Sequence, residues 1–231
     1  MTAYTATETA TETAATATAA AGSARTRRLL ACGVLAGPLF VAVVVAQELT
    51  RAGFDPKKHP LSLLSLGDLG WLQITNFVVA GALALASAFG LRRALHPGRA
   101  GTWGPILIGA YGVGLIWGGV FVADPAFGYP VGTPDAAPEQ LSWHGILHGI
   151  APAAAGLALI AACFVFARRY AGQGRRGWAV YCVAVAVVNV VLTGASFAAA
   201  DYRLMLAGGA VAWLWASAVT VHTLATSNLA R

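Results

Sequence analysis

Charged side chains are scarce in this sequence. Asp, Glu, Lys and Arg make up 10% of its 231 residues, whereas 58% of the residues are hydrophobic. Soluble domains have roughly a quarter charged residues, and a water-soluble fold could not bury so much apolar surface. The composition therefore excludes a soluble domain and indicates a protein that resides in a lipid bilayer.

Cysteines and catalytic motifs are scarce as well. Cys32, Cys163 and Cys182 lie in apolar stretches without CxxC spacing, so they indicate small packing residues and not a disulfide framework. The sequence has no nucleotide motif, no cofactor motif and no complete catalytic set. These absences favour a protein that is not an enzyme.

Long apolar runs are what the sequence does have. A bilayer core about 30 Å thick needs roughly 20 apolar residues per helix, and six runs meet this requirement. None shows the alternation typical of β-barrel strands. The sequence predicts an all-α integral membrane protein, a compact bundle of six transmembrane helices in a domain of residues 25–231. The predicted spans are residues 29–48, 71–91, 104–123, 143–167, 178–200 and 204–224.

The basic residues are concentrated in alternate loops. Four of them, Arg51, Lys57, Lys58 and Arg203, fall on one side of the predicted bundle, and all the others fall on the opposite side. Because cytoplasmic loops collect Lys and Arg, both termini are predicted to be cytoplasmic. The net charge of +6 is then explained by topology, and not by a nucleic-acid or anionic-ligand surface. Residues 1–24, rich in Ala and Thr, are predicted to form a disordered cytoplasmic tail.

Small residues recur at a spacing of four. The pairs are Gly33 and Gly37, Gly114 and Gly118, and Gly145 and Gly149. Such pairs let helices approach closely, which favours a compact bundle and equally permits a homodimer through small-residue helix faces.

Polar residues with possible functional roles lie in two loops on the predicted outer side. The segment from His59 to Trp71, the loop from Asp124 to Pro130 and the paired histidines after it resemble the membrane protein family catalogued as domain of unknown function 998. The resemblance covers roughly residues 29–225 and implies a six-span membrane protein without an established activity. The candidate outer-side functional cluster consists of Ser62, Ser65, Asp68, Asn76, Asp124, His144 and His148.

Two histidines of this cluster could bind a metal ion. His144 and His148 share one helix face, and Asp124 could add a carboxylate, which would leave an open position for water in a hydrolytic zinc site. Gly145 follows His144 where zinc proteases have Glu, which excludes that class. The alternative is that both histidines bond to neighbouring loops. Asp68 could cap the second span, and His59 is expected to lie in solvent.

Three functions follow from these observations. The first is a protein that binds or organises lipid or partner proteins through an outer-side pocket, with membrane lipids and not nucleic acid as partners. The second is a zinc-dependent membrane hydrolase of a lipid or amide. The third is a small-solute transporter. The preference for Arg over Lys and the abundance of Ala and Gly suggest a GC-rich bacterial genome, and hence the plasma membrane.

Overall fold

The computed structural model describes the backbone of residues 2–227 and the side chains of residues 20–227. Within that part of the chain the secondary structure is helical, and no strand is present. The helices are α1 (Thr2–Thr50), α2 (Gly70–Leu95), α3 (Arg99–Val120), α4 (Trp143–Gly172), α5 (Arg176–Ala198) and α6 (Tyr202–Thr226), and a short 3-10 helix, η1 (Leu61–Ser65), precedes α2.

The predicted fold class is confirmed. Among the described residues, six helices are long and apolar enough to cross a membrane, with the segment of α1 beginning at Ala20. Most helices extend a few residues past the predicted spans, because a helix continues into the headgroup region. Helices α3 and α5 instead end early, at Val120 and Ala198. The disorder of residues 1–24 stays a prediction, although the backbone from Thr2 belongs to α1. The cytoplasmic location of the two termini also stays a prediction.

The helices form a closed ring. Each helix packs against its neighbour in sequence, and α6 also packs against α1. Consecutive helices run in opposite directions, so the ring has two ends. We call one the loop end, where residues 51–69, 121–142 and 199–201 connect the helices, and the other the arginine end, where residues 96–98 and 173–175 do so.

Glycines allow the closest approaches between helices. A Cβ atom on Gly33 would lie 2.1 Å from Ser87 Oγ, and one on Gly114 would lie 2.7 Å from the Cβ of Ala155. By contrast, a Cβ atom on Gly149 would have no neighbour within 4 Å. The first two predicted glycine pairs therefore pack inside the bundle, whereas Gly149 faces open space.

Aromatic side chains fill the centre of the ring. Tyr111, Phe166, Trp213 and Trp215 line a cavity of about 10 Å³, which is about the size of one water molecule. The helix surfaces that point away from the centre of the ring are apolar. Val180 on α5 is an example, with 66% of its surface exposed. The interior is therefore packed, and the outward face suits contact with lipid chains.

Candidate functional site

His59 links the first connection at the loop end to the second. Its Nδ1 accepts a hydrogen bond of 2.9 Å from the backbone N–H of Asp55, so the ring proton lies on Nε2, which donates to the carbonyl of Phe127 at 2.9 Å. Phe54 and Tyr129 pack against the ring, with centroids at 5.2 and 5.4 Å. The side chain is buried, so the expectation that His59 lies in solvent is wrong. Burial is possible because both ring nitrogens have partners.

Two further contacts join the connections at this end. Lys58 Nζ pairs with Asp135 at 2.5 Å, which adds a second link between the first connection and the second. The backbone N–H of Tyr202 donates to the carbonyl of Lys57 at 2.8 Å, which links the first connection to the start of α6. The first connection is thus bonded both to the second and to the start of α6.

The third connection contains an ion pair. Asp201 is the N-cap residue of α6, and its two oxygens accept bonds of 2.9 and 2.6 Å from the guanidinium of Arg203. These hydrogen bonds lower the pKa of the Asp201 carboxyl. The pair holds the tight turn between α5 and α6.

Asp124 holds the start of α4. One of its oxygens accepts from the Ser142 N–H at 2.9 Å, and the other accepts from the Ser142 hydroxyl at 2.6 Å. The same hydroxyl accepts from the N–H of Gly145 at 3.0 Å, which makes Ser142 the N-cap residue of α4. Gly145 is needed here, because a Cβ atom on it would lie 2.0 Å from Asp124 Oδ2.

The paired histidines bond to the end of α3. His144 Nδ1 donates to the carbonyl of Val122 at 2.8 Å, and His148 Nδ1 donates to the carbonyls of Phe121 and Gly118 at 2.7 and 3.1 Å. The last carbonyls of a helix have no partner within the helix. His148 therefore supplies a donor to carbonyls at the end of α3, and His144 supplies one to the connection that follows it.

The three predicted zinc ligands do not converge in this arrangement. Metal-bound histidines commonly donate Nδ1–H to a carbonyl, so the Nε2 atoms of His144 and His148 could bind a metal. Asp124, however, lies 4.0 Å from Nδ1 of His144, on the opposite edge of the ring, and Ser142 occupies both its oxygens. Among the described residues, no group of three His, Cys, Asp or Glu side chains could hold a metal ion. Zinc binding stays a prediction.

The two serines and Asp68 form no hydrogen bond with the histidines in the described part of the chain. Ser65 is buried in η1, and its hydroxyl donates to the carbonyl of Ser62 at 2.5 Å. The N-cap residue of α2 is Leu69, without a side-chain cap, and Asp68 is exposed. The expectation that Asp68 caps this helix is therefore wrong, because the chain enters α2 one residue later.

Asn76 belongs to a buried amide cluster between α1 and α2. Gln47 Nε2 donates to Gln73 Oε1 at 2.8 Å, and Asn76 Nδ2 donates to the carbonyl of Phe40 at 3.2 Å and more weakly to Gln73 Oε1 at 3.4 Å. All three amide side chains are at most 5% exposed. Two amide atoms, Gln47 Oε1 and Gln73 Nε2, are buried without a hydrogen-bond partner in the described part of the chain.

Arg51 extends this cluster towards η1. Its Nη2 donates to the carbonyls of Leu64 and Leu66 at the end of η1, whereas its buried Nε has no acceptor among the described residues. The side chain is 9% exposed. Between residues 20 and 227 it forms no ion pair with a carboxylate.

The structure thus separates the predicted cluster. Asp124, His144 and His148 connect α3 to α4, and Asn76 belongs to the amide cluster between α1 and α2. Ser62, Ser65 and Asp68 belong to neither group. Gln47, Arg51 and Gln73 are not among the site residues predicted from the sequence. A signal was present, because Gln47 and Arg51 are four residues apart and Gln73 and Asn76 three apart, spacings that share a helix face. Polar residues in membrane helices usually face the bundle interior.

Comparison with known proteins supports the family resemblance. Neither the curated proteins nor the solved structures contain a match to this chain. A family model described as "Protein of unknown function (DUF998)" matches residues 34–226, which is most of the chain and includes all of the groups described above. The chain therefore belongs to the family described as Protein of unknown function (DUF998).

Proposed function

We propose that this multi-pass membrane protein binds an anionic amphiphile at the loop end, with its charged headgroup beside Arg51, Gln47 and Gln73. The observation that carries the proposal is the burial of Arg51 without a carboxylate partner between residues 20 and 227. This binding function is a specific form of lipid binding through an outer-side pocket.

Electrostatics favour an anion at this position. Removing a guanidinium from water costs several kcal/mol unless a counter-charge or hydrogen bonds compensate. Arg51 directly follows α1, whose C-terminal dipole offsets about 0.3–1 kcal/mol of this cost, and the two carbonyls of η1 offset a further part. A bound anion would supply the missing negative charge and an acceptor for Nε.

The amides beside Arg51 restrict the chemistry of the ligand. The unpaired atoms are two donors, Arg51 Nε and Gln73 Nε2, and one acceptor, Gln47 Oε1. A phosphate group accepts from both donors, and an adjacent hydroxyl donates to the amide oxygen. The class that fits is a lipid phosphate whose headgroup carries a hydroxyl.

Apolar surface near the site suits the acyl chains of such a ligand. Leu49 precedes Arg51 at the end of α1 and is 80% exposed, and Trp71 at the start of α2 is 58% exposed. Trp is favoured at the membrane interface, where headgroups lie. Because the three unpaired atoms are buried, the headgroup reaches them only when η1 moves away from α1 and α2.

The ligand can be identified in the purified protein. We expect organic extraction of the detergent-purified wild type, followed by negative-mode mass spectrometry, to recover a near-stoichiometric phosphate amphiphile. Arg51→Gln is expected to weaken its binding by at least about thirtyfold, because truncating one partner of a buried charge pair costs about 2 kcal/mol or more. Gln73→Leu is a second variant that keeps Arg51 and is expected to lose part of the ligand.

Arg203→Gln is the matched control. It removes the same charge from the same end of the protein, but Arg203 is bonded to Asp201, so the ligand is expected to remain. The proposal fails if the wild type carries no anionic amphiphile, or if folded Arg51→Gln and Gln73→Leu proteins retain as much of it as Arg203→Gln does.

Orientation and assembly belong to the same proposal. The loop end faces outward and the arginine end faces the cytoplasm of a bacterial cell, as the distribution of Arg favours. A homodimer would use the open face of α4 at Gly149, where a second helix could approach closely.

A further inference from the structure

The arginine end concentrates positive charge. Between residues 20 and 227, every Asp and Glu lies at the loop end or in the last turns of α1. The opposite end carries Arg25, Arg27, Arg28, Arg92, Arg93, Arg99, Arg168, Arg169, Arg175 and Arg176, of which all but the half-buried Arg169 are exposed. The sequence pattern alone is explained by topology, and the side-chain geometry adds information about what this surface can bind.

One of these arginines is bonded to a cluster of three aromatic rings. The His222 ring packs against those of Trp178 and Tyr170, with centroids at 4.4 and 5.4 Å and interplanar angles of 22° and 18°, and the Trp178 and Tyr170 centroids are themselves 5.4 Å apart. Arg175 Nη1 donates to Nε2 of His222, and the backbone N–H of Arg175 donates to the carbonyl of Tyr170 at 2.9 Å. The Arg175 guanidinium is therefore positioned before any ligand arrives.

Most of the donors on this guanidinium remain available. Arginine has five N–H donors in a planar fork that matches phosphate geometry. Among the described residues, the Arg175 side chain uses only the contact with His222, and Arg176 follows it directly at the start of α5. The exposed guanidinium of Arg175, bonded to His222, and the exposed side chain of Arg176, next to it in the chain, offer N–H donors that favour phosphate.

The apolar face next to these groups indicates the source of the phosphate. Val180 and Val187 on α5 are 66% and 53% exposed, and they lie further along the same helix, towards the membrane interior. A ligand with a phosphate head and an acyl chain can contact both the arginines and this face. A nucleic acid would contact only the arginines.

We propose that the arginine end binds the phosphate of an anionic phospholipid, with Arg175 and Arg176 as its headgroup contacts, the outer face of α5 as its chain contact, and His222 as the residue that positions Arg175. This site is at the opposite end of the bundle from the Arg51 cluster and does not depend on it. An arginine near an anionic membrane surface contributes about 1 kcal/mol, so each contact accounts for about a fivefold preference.

Lipid competition can test this site. Native mass spectrometry would measure the ratio of phosphatidylglycerol to phosphatidylcholine retained by the purified full chain after equilibration with an equimolar mixture. We expect the wild type to prefer phosphatidylglycerol, and Arg175→Gln and Arg176→Gln each to reduce the ratio by about fivefold. His222→Phe keeps a ring in the aromatic cluster but removes the acceptor for Arg175, so we expect a smaller reduction.

Arg203→Gln serves as the control at the other end and is expected to retain the wild-type ratio. Equal retention of the two lipids by the wild type would overturn the proposal, as would an equal reduction in Arg203→Gln and Arg175→Gln. A wild-type ratio in His222→Phe would overturn the positioning role of His222. Because phosphatidylglycerol also fits the ligand class proposed for the loop end, the same ratios are compared in an Arg51→Gln background, where a remaining effect of Arg175→Gln supports the arginine-end site and the loss of that effect overturns it.

Discussion

The contact between Gly145 and Asp124 gives the sharpest prediction about the loop end. Gly145→Ala places a Cβ atom 2.0 Å from Asp124 Oδ2 and 2.6 Å from its Cγ. The carboxylate cannot move freely, because both its oxygens bond to Ser142. The substitution therefore forces either the carboxylate or the start of α4 out of position.

The magnitude follows from the bonds at risk. Moving the carboxylate gives up at least one hydrogen bond to a charged group, which contributes about 1.5–3 kcal/mol. Ala gains about 0.5–1 kcal/mol over Gly in a helix, so we expect a net loss of about 1–2 kcal/mol in the free energy of unfolding. In an Asp124→Ala background the clash is absent, and the same substitution should be neutral or stabilising by about 0.5–1 kcal/mol. The expected coupling between the two sites is about 1.5–3 kcal/mol.

Denaturant unfolding of the detergent-solubilised protein, followed by tryptophan fluorescence, measures all four members of this cycle. Asp124→Asn is the control, because it keeps the size of the side chain and should leave Gly145→Ala destabilising. If the effect of Gly145→Ala is the same with Asp124 and with Ala at position 124, within about 0.5 kcal/mol, the steric reasoning is refuted.

Four further predictions concern packing, the loop end, zinc and orientation. Gly81→Ala would place a Cβ atom 2.5 Å from the carbonyl oxygen of Gly112 and should destabilise the protein by about 1–3 kcal/mol. Gly149→Ala is the control, because Gly149 faces open space and the substitution should not destabilise the protein. Equal melting temperatures of the two variants would contradict this prediction. His59→Ala leaves the Asp55 N–H and the Phe127 carbonyl without this partner. Limited proteolysis should therefore cut residues 51–69 faster, while the circular dichroism spectrum stays helical. An unchanged cleavage rate would argue against a role of His59 in linking the first two connections. Elemental analysis should find the same zinc content in the wild type and in the His144→Ala, His148→Ala double variant, since Asp124 lies on the Nδ1 edge of His144; stoichiometric zinc in the wild type alone would instead support the hydrolase. A membrane-impermeant thiol reagent applied to intact cells should label Ala137→Cys but label Gln173→Cys only after permeabilisation, and the reverse pattern would invert the proposed orientation.

The contacts of individual side chains explain why the site was only partly predictable. His144 and His148 share a helix face by spacing alone, and that face is present in the structure. Their partners, the carbonyls of Val122 and Phe121, carry no sequence signal, because any residue has a backbone carbonyl. His59 was misjudged for the same reason, since its two partners are backbone groups of Asp55 and Phe127.

The buried amides required the pairing of two helices. Gln73 and Asn76 could be placed on one face of α2 from their spacing, and Gln47 one turn before Arg51, the residue that follows α1. Which two helix faces meet depends on how the ring closes. Closure depends in turn on shape, above all on glycines such as Gly33 that let backbones approach.

The sequence by itself determined the class of the protein and the number of its spans, because length and hydropathy alone decide whether a helix can cross the hydrocarbon core. It also determined that one end of the bundle is rich in arginine, because alternate loops must lie on the same side. Only the tertiary structure decided which polar groups are satisfied and which remain open, Arg51 and Gln73 among them. The reason is physical: a hydrogen bond depends on the relative position of two atoms to within a few tenths of an ångström, which packing sets and composition does not.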